Sequence, residues 1–309
     1  MRHVLRSTIA AAVVVTGSSS CGGSGNSATP TAPTPVALTP STSPLPYGQA
    51  TGGGGVPCPP GPPAAGVTCS SLVVVCPSVP SASATLRITR PTSTALNRGT
   101  IVLTTGGAGT NFADSTLTLA MIATFVGDGL VVVQMAWDPP GIWGDPRART
   151  VACRYATAAK WVYENVHTGG KSRLFAAQGT SGGAAQIAFG LAHYGVSDFL
   201  DLANLGGGPP NCPLCLCGEQ TPVEPLLSAG VTCPALFRDP LLNYPATVVR
   251  FFLGDQDPNH EGTADSARTY HSAITSSKSF TTVSNTPHVV ESTQAGVDAY
   301  VAAVRAALK

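Results

Sequence analysis

A mostly parallel β-sheet covered by helices on both faces is the fold class this sequence predicts, and three observations lead to it. Short apolar runs recur at residues 101–103, 130–135, 174–177, 199–205, 248–253 and 280–283, each reading as a strand. Helix-length segments separate them. In two of these the apolar residues fall three or four apart: Val151, Tyr155, Ala159, Val162 and Val166 in the first, Val297, Tyr300, Val301, Val304 and Leu308 in the last. Finally, 309 residues at 43% apolar content can bury one large core, which suits a single α/β domain better than two equal ones. In an open parallel sheet, reactive groups collect at the carboxyl ends of the strands, so the residues just after each run are where chemistry is expected.

The residues before the sheet read as export and tether. Arg2, His3 and Arg6 precede an apolar run at 9–15 and then small residues up to Cys21, the pattern of a signal peptide over residues 1–20. The run is too short to span a bilayer. Cys21, Gly22 and Gly23 open a Ser/Thr/Pro/Gly stretch that resembles the acylated cysteine and flexible tether of a bacterial lipoprotein. Ser18 stands where such signals usually carry Leu, so lipidation of Cys21 and plain release both stay open. Residues 21–68, with four consecutive glycines at 52–55, read as a low-complexity linker without a packed core, leaving 69–309 as the domain.

Charge and cysteine usage narrow the function class. A net charge of +1, with 11% charged residues, supplies no basic field for nucleic acid. Of nine cysteines, setting Cys21 aside leaves Cys58, Cys69, Cys76, Cys153, Cys212, Cys215, Cys217 and Cys233, an even number that four disulfides would account for in an exported chain. The group Cys212, Cys215, Cys217 and Cys233 has zinc binding as its alternative, but it encloses no histidine, so neither metal nor cofactor is expected.

The run at 174–177 leads into Gln178-Gly179-Thr180-Ser181-Gly182-Gly183 and then the apolar helical stretch 184–194. This is G-x-S-x-G in the strand-to-helix setting that makes a serine nucleophilic. Glycines at 179 and 183 give a sharp turn the space it needs, Ser181 projects from it, and the helix N-terminus points at the place where negative charge develops. A glycine-rich loop by chance is the competing reading.

This region resembles the nucleophile elbow of the α/β-hydrolase family, and the similarity runs over roughly residues 86–309. The resemblance implies an α/β-hydrolase fold and a triad in the chain order serine, acid, histidine, with the acid after the seventh strand and the histidine after the eighth. Asp257, three residues after Gly254, matches the acid position, with Asp255 as its competitor. His288, in the loop before the final helix, matches the base. His167, His193 and His271 fall in or beside helices and are expected to pack or be solvated. The strand at 101–103 ends in Thr104-Thr105-Gly106-Gly107-Ala108-Gly109-Thr110, where Thr105 takes the place of the family's histidine. By that alignment the N–H groups of Gly107 and Gly182 form the oxyanion hole, with Ala108 as the alternative to Gly107.

Trp137 and Trp143 follow the strand at 130–135 and either wall a substrate pocket or pack against the core, and His260 is a further candidate lining residue. Residues 206–245, rich in Gly, Pro and Cys, are expected to form a disulfide-pinned rim in place of a helical lid. The implied activity is extracellular cleavage of carboxylic esters, small or polymeric, by an enzyme released or tethered at a bacterial cell envelope through a lipidated Cys21. Two alternatives stand beside it: a peptidase or amidase using the same residues, and a non-catalytic surface binding protein on the same fold.

Overall fold

A computed structural model describes residues 43–59, 66–93, 97–142, 148–210, 240–258 and 262–308. Its strands are β1 (Gln49–Val56), β2 (Val67–Val75), β3 (Ala82–Thr89), β4 (Gly99–Thr104), β5 (Leu130–Trp137), β6 (Leu174–Thr180), β7 (Leu202–Gly206), β8 (Val248–Gly254) and β9 (Lys278–Val283). The helices are α1 (Thr116–Gly127), α2 (Ala148–Asn165), α3 (Gly182–Tyr194), α4 (Thr263–Ala273) and α5 (Gln294–Ala307). The nine strands form one sheet in the order β1-β2-β3-β5-β4-β6-β7-β8-β9. The pairs β1/β2, β2/β3 and β3/β5 are antiparallel, and every pair from β5 to β9 is parallel.

Burial explains the parallel part. All residues of β4, β5, β6 and β7 are buried, as strands covered on both faces must be. Side chains alternate between two cores. Val102, Val133 and Ala177 face one that includes Tyr155, Ile187, Leu191 and Tyr270, so α2, α3 and α4 cover that face. Ile101, Val132 and Ala176 face another with Met121, Phe125, Tyr300 and Val304, so α1 and α5 cover the opposite one. Burying a side chain of this size is worth about 1.5–3 kcal/mol relative to exposure, which makes these two layers the main source of stability.

The six strands expected from apolar runs are all present, most extended by one to three residues, whereas 199–205 begins later, at Leu202, after a 3₁₀ turn at Val196–Asp198. The N-terminal boundary differs from the sequence reading. Residues 49–56, inside the stretch read as linker, form the edge strand β1, which pairs with β2 across a register shift between Gly52 and Gly55. Polyglycine carries no side-chain pattern to read, but its backbone can still pair. Here the absence of a side chain is used, since a Cβ on Gly52 would come within 3.1 Å of the Trp161 indole. With this extra strand, β8 and β9 take the places of the expected seventh and eighth strands.

Two disulfides pin this end. Cys58–Cys69 joins the chain just after β1 to β2, and Cys76–Cys153 joins the end of β2 to α2 across 77 residues. Cys21, Cys212, Cys215, Cys217 and Cys233 lie outside the described residues, as does most of the expected rim 206–245. Among the described residues, no helix is long and apolar enough to cross a membrane.

Candidate active site

Ser181 sits between the end of β6 and the start of α3, at φ 54° and ψ −120°. A positive φ on a residue with a β-carbon costs roughly 1–3 kcal/mol and persists only where the surroundings impose it. They do so here. The Ser181 N–H donates to the Gly206 carbonyl of neighbouring β7 (2.8 Å), and the Ser181 carbonyl accepts the Ala185 N–H of α3 (3.0 Å). Glycine at 179 and 183 is a steric requirement: a Cβ on Gly179 would lie 2.5 Å from the Gly183 carbonyl carbon, and one on Gly183 would lie 2.5 Å from the Thr104 carbonyl oxygen. The Thr104 hydroxyl, from β4, donates to the Gly183 carbonyl (3.2 Å) and ties the elbow to the adjacent strand.

The two aspartates after β8 have separate partners. Asp257 Oδ2 lies 2.9 Å from His288 Nδ1, with the Asp257 side chain 2% exposed and that of His288 16% exposed. Asp255 Oδ1 instead accepts the backbone N–H of Thr286 (3.2 Å), while the N–H groups of Asp255 and Gln256 donate to the carbonyls of Val283 and Thr286 (both 3.0 Å). Asp255 thus fastens the turn after β8 to the loop after β9, and Asp257 reaches the imidazole that this loop carries. Two consecutive glycines after β7 approach the other two site residues, one each. A Cβ on Gly207 (φ +53°) would lie 3.2 Å from His288 Nδ1, and one on Gly208 would lie 3.8 Å from the Ser181 Cα.

The loop after β4 closes over the elbow. A Cβ on Gly106 would be 3.3 Å from the Ser181 Cβ, and one on Gly182 would be 3.1 Å from both N and C of Gly107 (φ +58°). The Gly107 and Gly182 peptides therefore touch beside the serine. The Ala108 carbonyl accepts the Ile142 N–H (3.0 Å).

Trp137 is 1% exposed and packs beneath this loop. Its backbone N–H donates to the Gly109 carbonyl (2.8 Å) and its indole N–H to Gln186 Oε1 of α3 (3.1 Å). Of the two readings offered for Trp137, this placement is the one against the core. At the loop's far side, buried Arg87 of β3 pairs with Asp114, donates to Gln134 Oε1 (3.0 Å) and stacks on Phe112 at 4.1 Å. Trp143 and His260 lie outside the described residues.

No family model matches the chain, and no curated protein matches it. Solved structures do. A protein from Agrobacterium vitis S4 superposes with a TM-score of 0.54 at 13% identity, covering 79% of this chain and 99% of that one. Mouse alpha/beta hydrolase domain-containing protein 10 follows with a TM-score of 0.51 at 12% identity, covering 76% and 96%. Dienelactone hydrolase from Anabaena variabilis gives 0.50 at 11% identity, covering 79% and 100%. The fold is that of the α/β-hydrolases. Within it, Ser181, Asp257, His288, Gly107 and Gly182 follow β6, β8, β9 and β4, all at the carboxyl edge of the parallel strands.

Among the described residues, the other histidines pack into the scaffold. His167 is buried with Nδ1 on the Thr100 hydroxyl (3.1 Å) and Nε2 on the Gly170 carbonyl (2.9 Å). His193 is buried at the end of α3, and His271 packs edge-on against Phe251 and Phe280, its pKa lowered by burial and by Lys278.

Residues that sequence reasoning passed over also stand at the site. Glu291, in the 3₁₀ turn Val290–Ser292, accepts a hydrogen bond from the Thr180 hydroxyl, and the Tyr300 hydroxyl of α5 lies 3.2 Å from the same oxygen. Burial holds the Glu291 carboxyl above the usual range, opposed by the Thr180 hydrogen bond and the charge of His288. The Tyr300 hydroxyl is pushed up by burial and by Glu291. A glutamate three residues after a histidine carries no motif, so proximity in space was the only signal that could have found it.

Proposed function

We propose that this chain is an exported serine hydrolase that cleaves carboxylic esters through an acyl-enzyme on Ser181. The observation that carries the reading is the His288–Asp257 contact at 2.9 Å, beside a serine held at positive φ between a strand and a helix. With Nδ1 engaged by Asp257, the neutral imidazole keeps its basic lone pair on Nε2. Nε2 takes the Ser181 hydroxyl proton as Oγ attacks the ester carbonyl, and Asp257 stabilises the imidazolium. The N–H groups of Gly107 and Gly182 receive the oxyanion, aided by the N-terminus of α3. The tetrahedral adduct then collapses: the C–O bond to the leaving group breaks, and Nε2 returns the proton to the departing alcohol. Water, deprotonated by the same nitrogen, attacks the acyl-enzyme; collapse of the second adduct breaks the bond to Oγ, Nε2 returns the proton to Ser181, and the carboxylic acid leaves.

Export is supported by the two disulfides, which persist in oxidising compartments, and by the leader-like N-terminus. The ester preference rests on fold analogy, dienelactone hydrolase being one hydrolase on this scaffold. A panel of p-nitrophenyl esters and peptide p-nitroanilides tests it. Ester turnover exceeding amide turnover, and lost in Ser181→Ala, is the expected result; preferential amide turnover would reassign the chain as a peptidase, and no turnover by a folded wild type would favour a binding protein.

A further inference from the structure

We propose that Glu291 is a positioning residue that bridges the base's loop to the nucleophile's strand and so sets how His288 meets Ser181. This rests on the serine-hydrolase reading above.

The bridge crosses three elements. Thr180 is the last residue of β6, is 2% exposed, and precedes Ser181. Its hydroxyl donates to Glu291 Oε2, 111 residues along the chain and three past His288. When that hydroxyl gives its one proton to an ionised Glu291, the Tyr300 hydroxyl 3.2 Å away is the donor to Thr180. With Glu291 ionised the direction is Tyr300 to Thr180 to Glu291. Gly206, the β7 residue whose carbonyl holds the Ser181 N–H, has no room for a side chain here, since its Cβ would come within 3.1 Å of the Thr180 hydroxyl.

The turn carrying Glu291 is packed and hydrogen-bonded in its own right. Val290 is fully buried, the Gly296 Cβ position is 3.0 Å from a Val290 methyl carbon, and the Ser292 hydroxyl donates to the Val289 carbonyl (2.6 Å). The other side of the His288 loop is tied at Thr286, whose hydroxyl pairs with that of Thr293 (2.8 Å) and whose N–H reaches Asp255. These ties fix the loop to the acid's turn and to α5, whereas Glu291 fixes it to the strand that ends at the serine. Burying a carboxyl end is costly unless its hydrogen bonds are made. A tie of this kind, placed where an ångström of misalignment between base and nucleophile slows the reaction about 10²-fold, is accounted for by that alignment.

The test compares wild type, Glu291→Gln, Glu291→Ala, Thr180→Val and the Ala/Val double variant by steady-state ester kinetics, by the rate of Ser181 labelling with a fluorophosphonate, and by thermal midpoint. The glutamine oxygen still accepts from Thr180, so E291Q should stay within about 5-fold of wild-type kcat, while E291A and T180V lose about 10- to 100-fold in kcat with KM within about 3-fold, since misalignment acts on the chemical step. The double variant should be no slower than the slower single one, because both substitutions cut the same bridge. If E291A fails to fold, T180V, which nearly preserves volume, carries the comparison alone. E291A or T180V within 2-fold of wild-type kcat would overturn the inference, as would an E291Q as slow as E291A, since charge and not the bridge would then be what matters. A folded wild type that neither turns over esters nor takes the phosphonate would defeat the functional reading and this inference together, whereas an active wild type indifferent to these variants would defeat the inference alone.

Discussion

The two ends of the sheet are stabilised by different means. From β4 to β7 every strand residue is buried, and neither disulfide among the described residues touches these strands. At the N-terminal end, β1 is almost wholly exposed and β2 presents Val73 and Val75 to solvent at 42% and 52%, yet both described disulfides are concentrated at these two strands. Apolar burial supports the part that carries Ser181, Asp257 and His288; cross-links compensate where burial is thin. The difference teaches that chemistry and stability should be separable by mutation, with changes at one end losing activity while the fold survives and changes at the other doing the reverse.

The largest expected effect is at Asp257, the proposed acid. Asp257→Asn should lower kcat by about 10⁴-fold, because the amide favours the wrong imidazole tautomer, while Asp255→Asn stays within about 10-fold and loses about 1 kcal/mol of stability from its weakened hydrogen bond to Thr286. Steady-state kinetics and urea unfolding on the same samples separate the two; equal losses of activity would break the assignment of roles.

At the other end the signs reverse. Replacing Cys76 and Cys153 together by serine opens a loop of 77 residues and should cost about 4 kcal/mol of stability in the chain-entropy account, with kcat unchanged below the new midpoint. Loss of kcat at full folding would show that the bridged end does shape the site. Trp137→Phe joins the two regimes: it removes the indole donor to Gln186 and should cost about 1–2 kcal/mol, with a modest fall in kcat if the loop bearing Gly107 shifts.

The smallest effect is a pH slope. Burial raises the Glu291 carboxyl above its ordinary value of 4.5, so the folded state binds that proton more tightly than the unfolded chain does. Its contribution is fully present below pH 4.5 and is lost as pH rises through the raised folded value. Thermal midpoints of E291Q should therefore lack this part of the alkaline-side decline that wild type shows, and parallel pH profiles would contradict the burial of that carboxyl.

The parallel half was legible in the sequence because its strands are continuous apolar runs and its helices keep a regular apolar stripe. The turn at Ser181 was legible because Gly179 and Gly183 are demanded by close backbone approach, which leaves a short motif. β1 escaped notice since polyglycine has no alternation to read, and the pairings among Cys58, Cys69, Cys76 and Cys153 depend on register that spacing does not encode. Trp137 was ambiguous: the apolar run could be seen to end near Met135, but β5 continues to Trp137 and carries the indole inward. Glu291, Thr180 and Tyr300 were invisible because their contacts span more than a hundred residues.

Ser181 as the attacking group is tested most directly by treating the purified protein with a fluorophosphonate and mapping the adduct by peptide mass. The account predicts one adduct, on the peptide containing Ser181, absent in Ser181→Ala and formed far more slowly in His288→Ala. A folded wild type that remains unlabelled, or an adduct on a different serine, would contradict it.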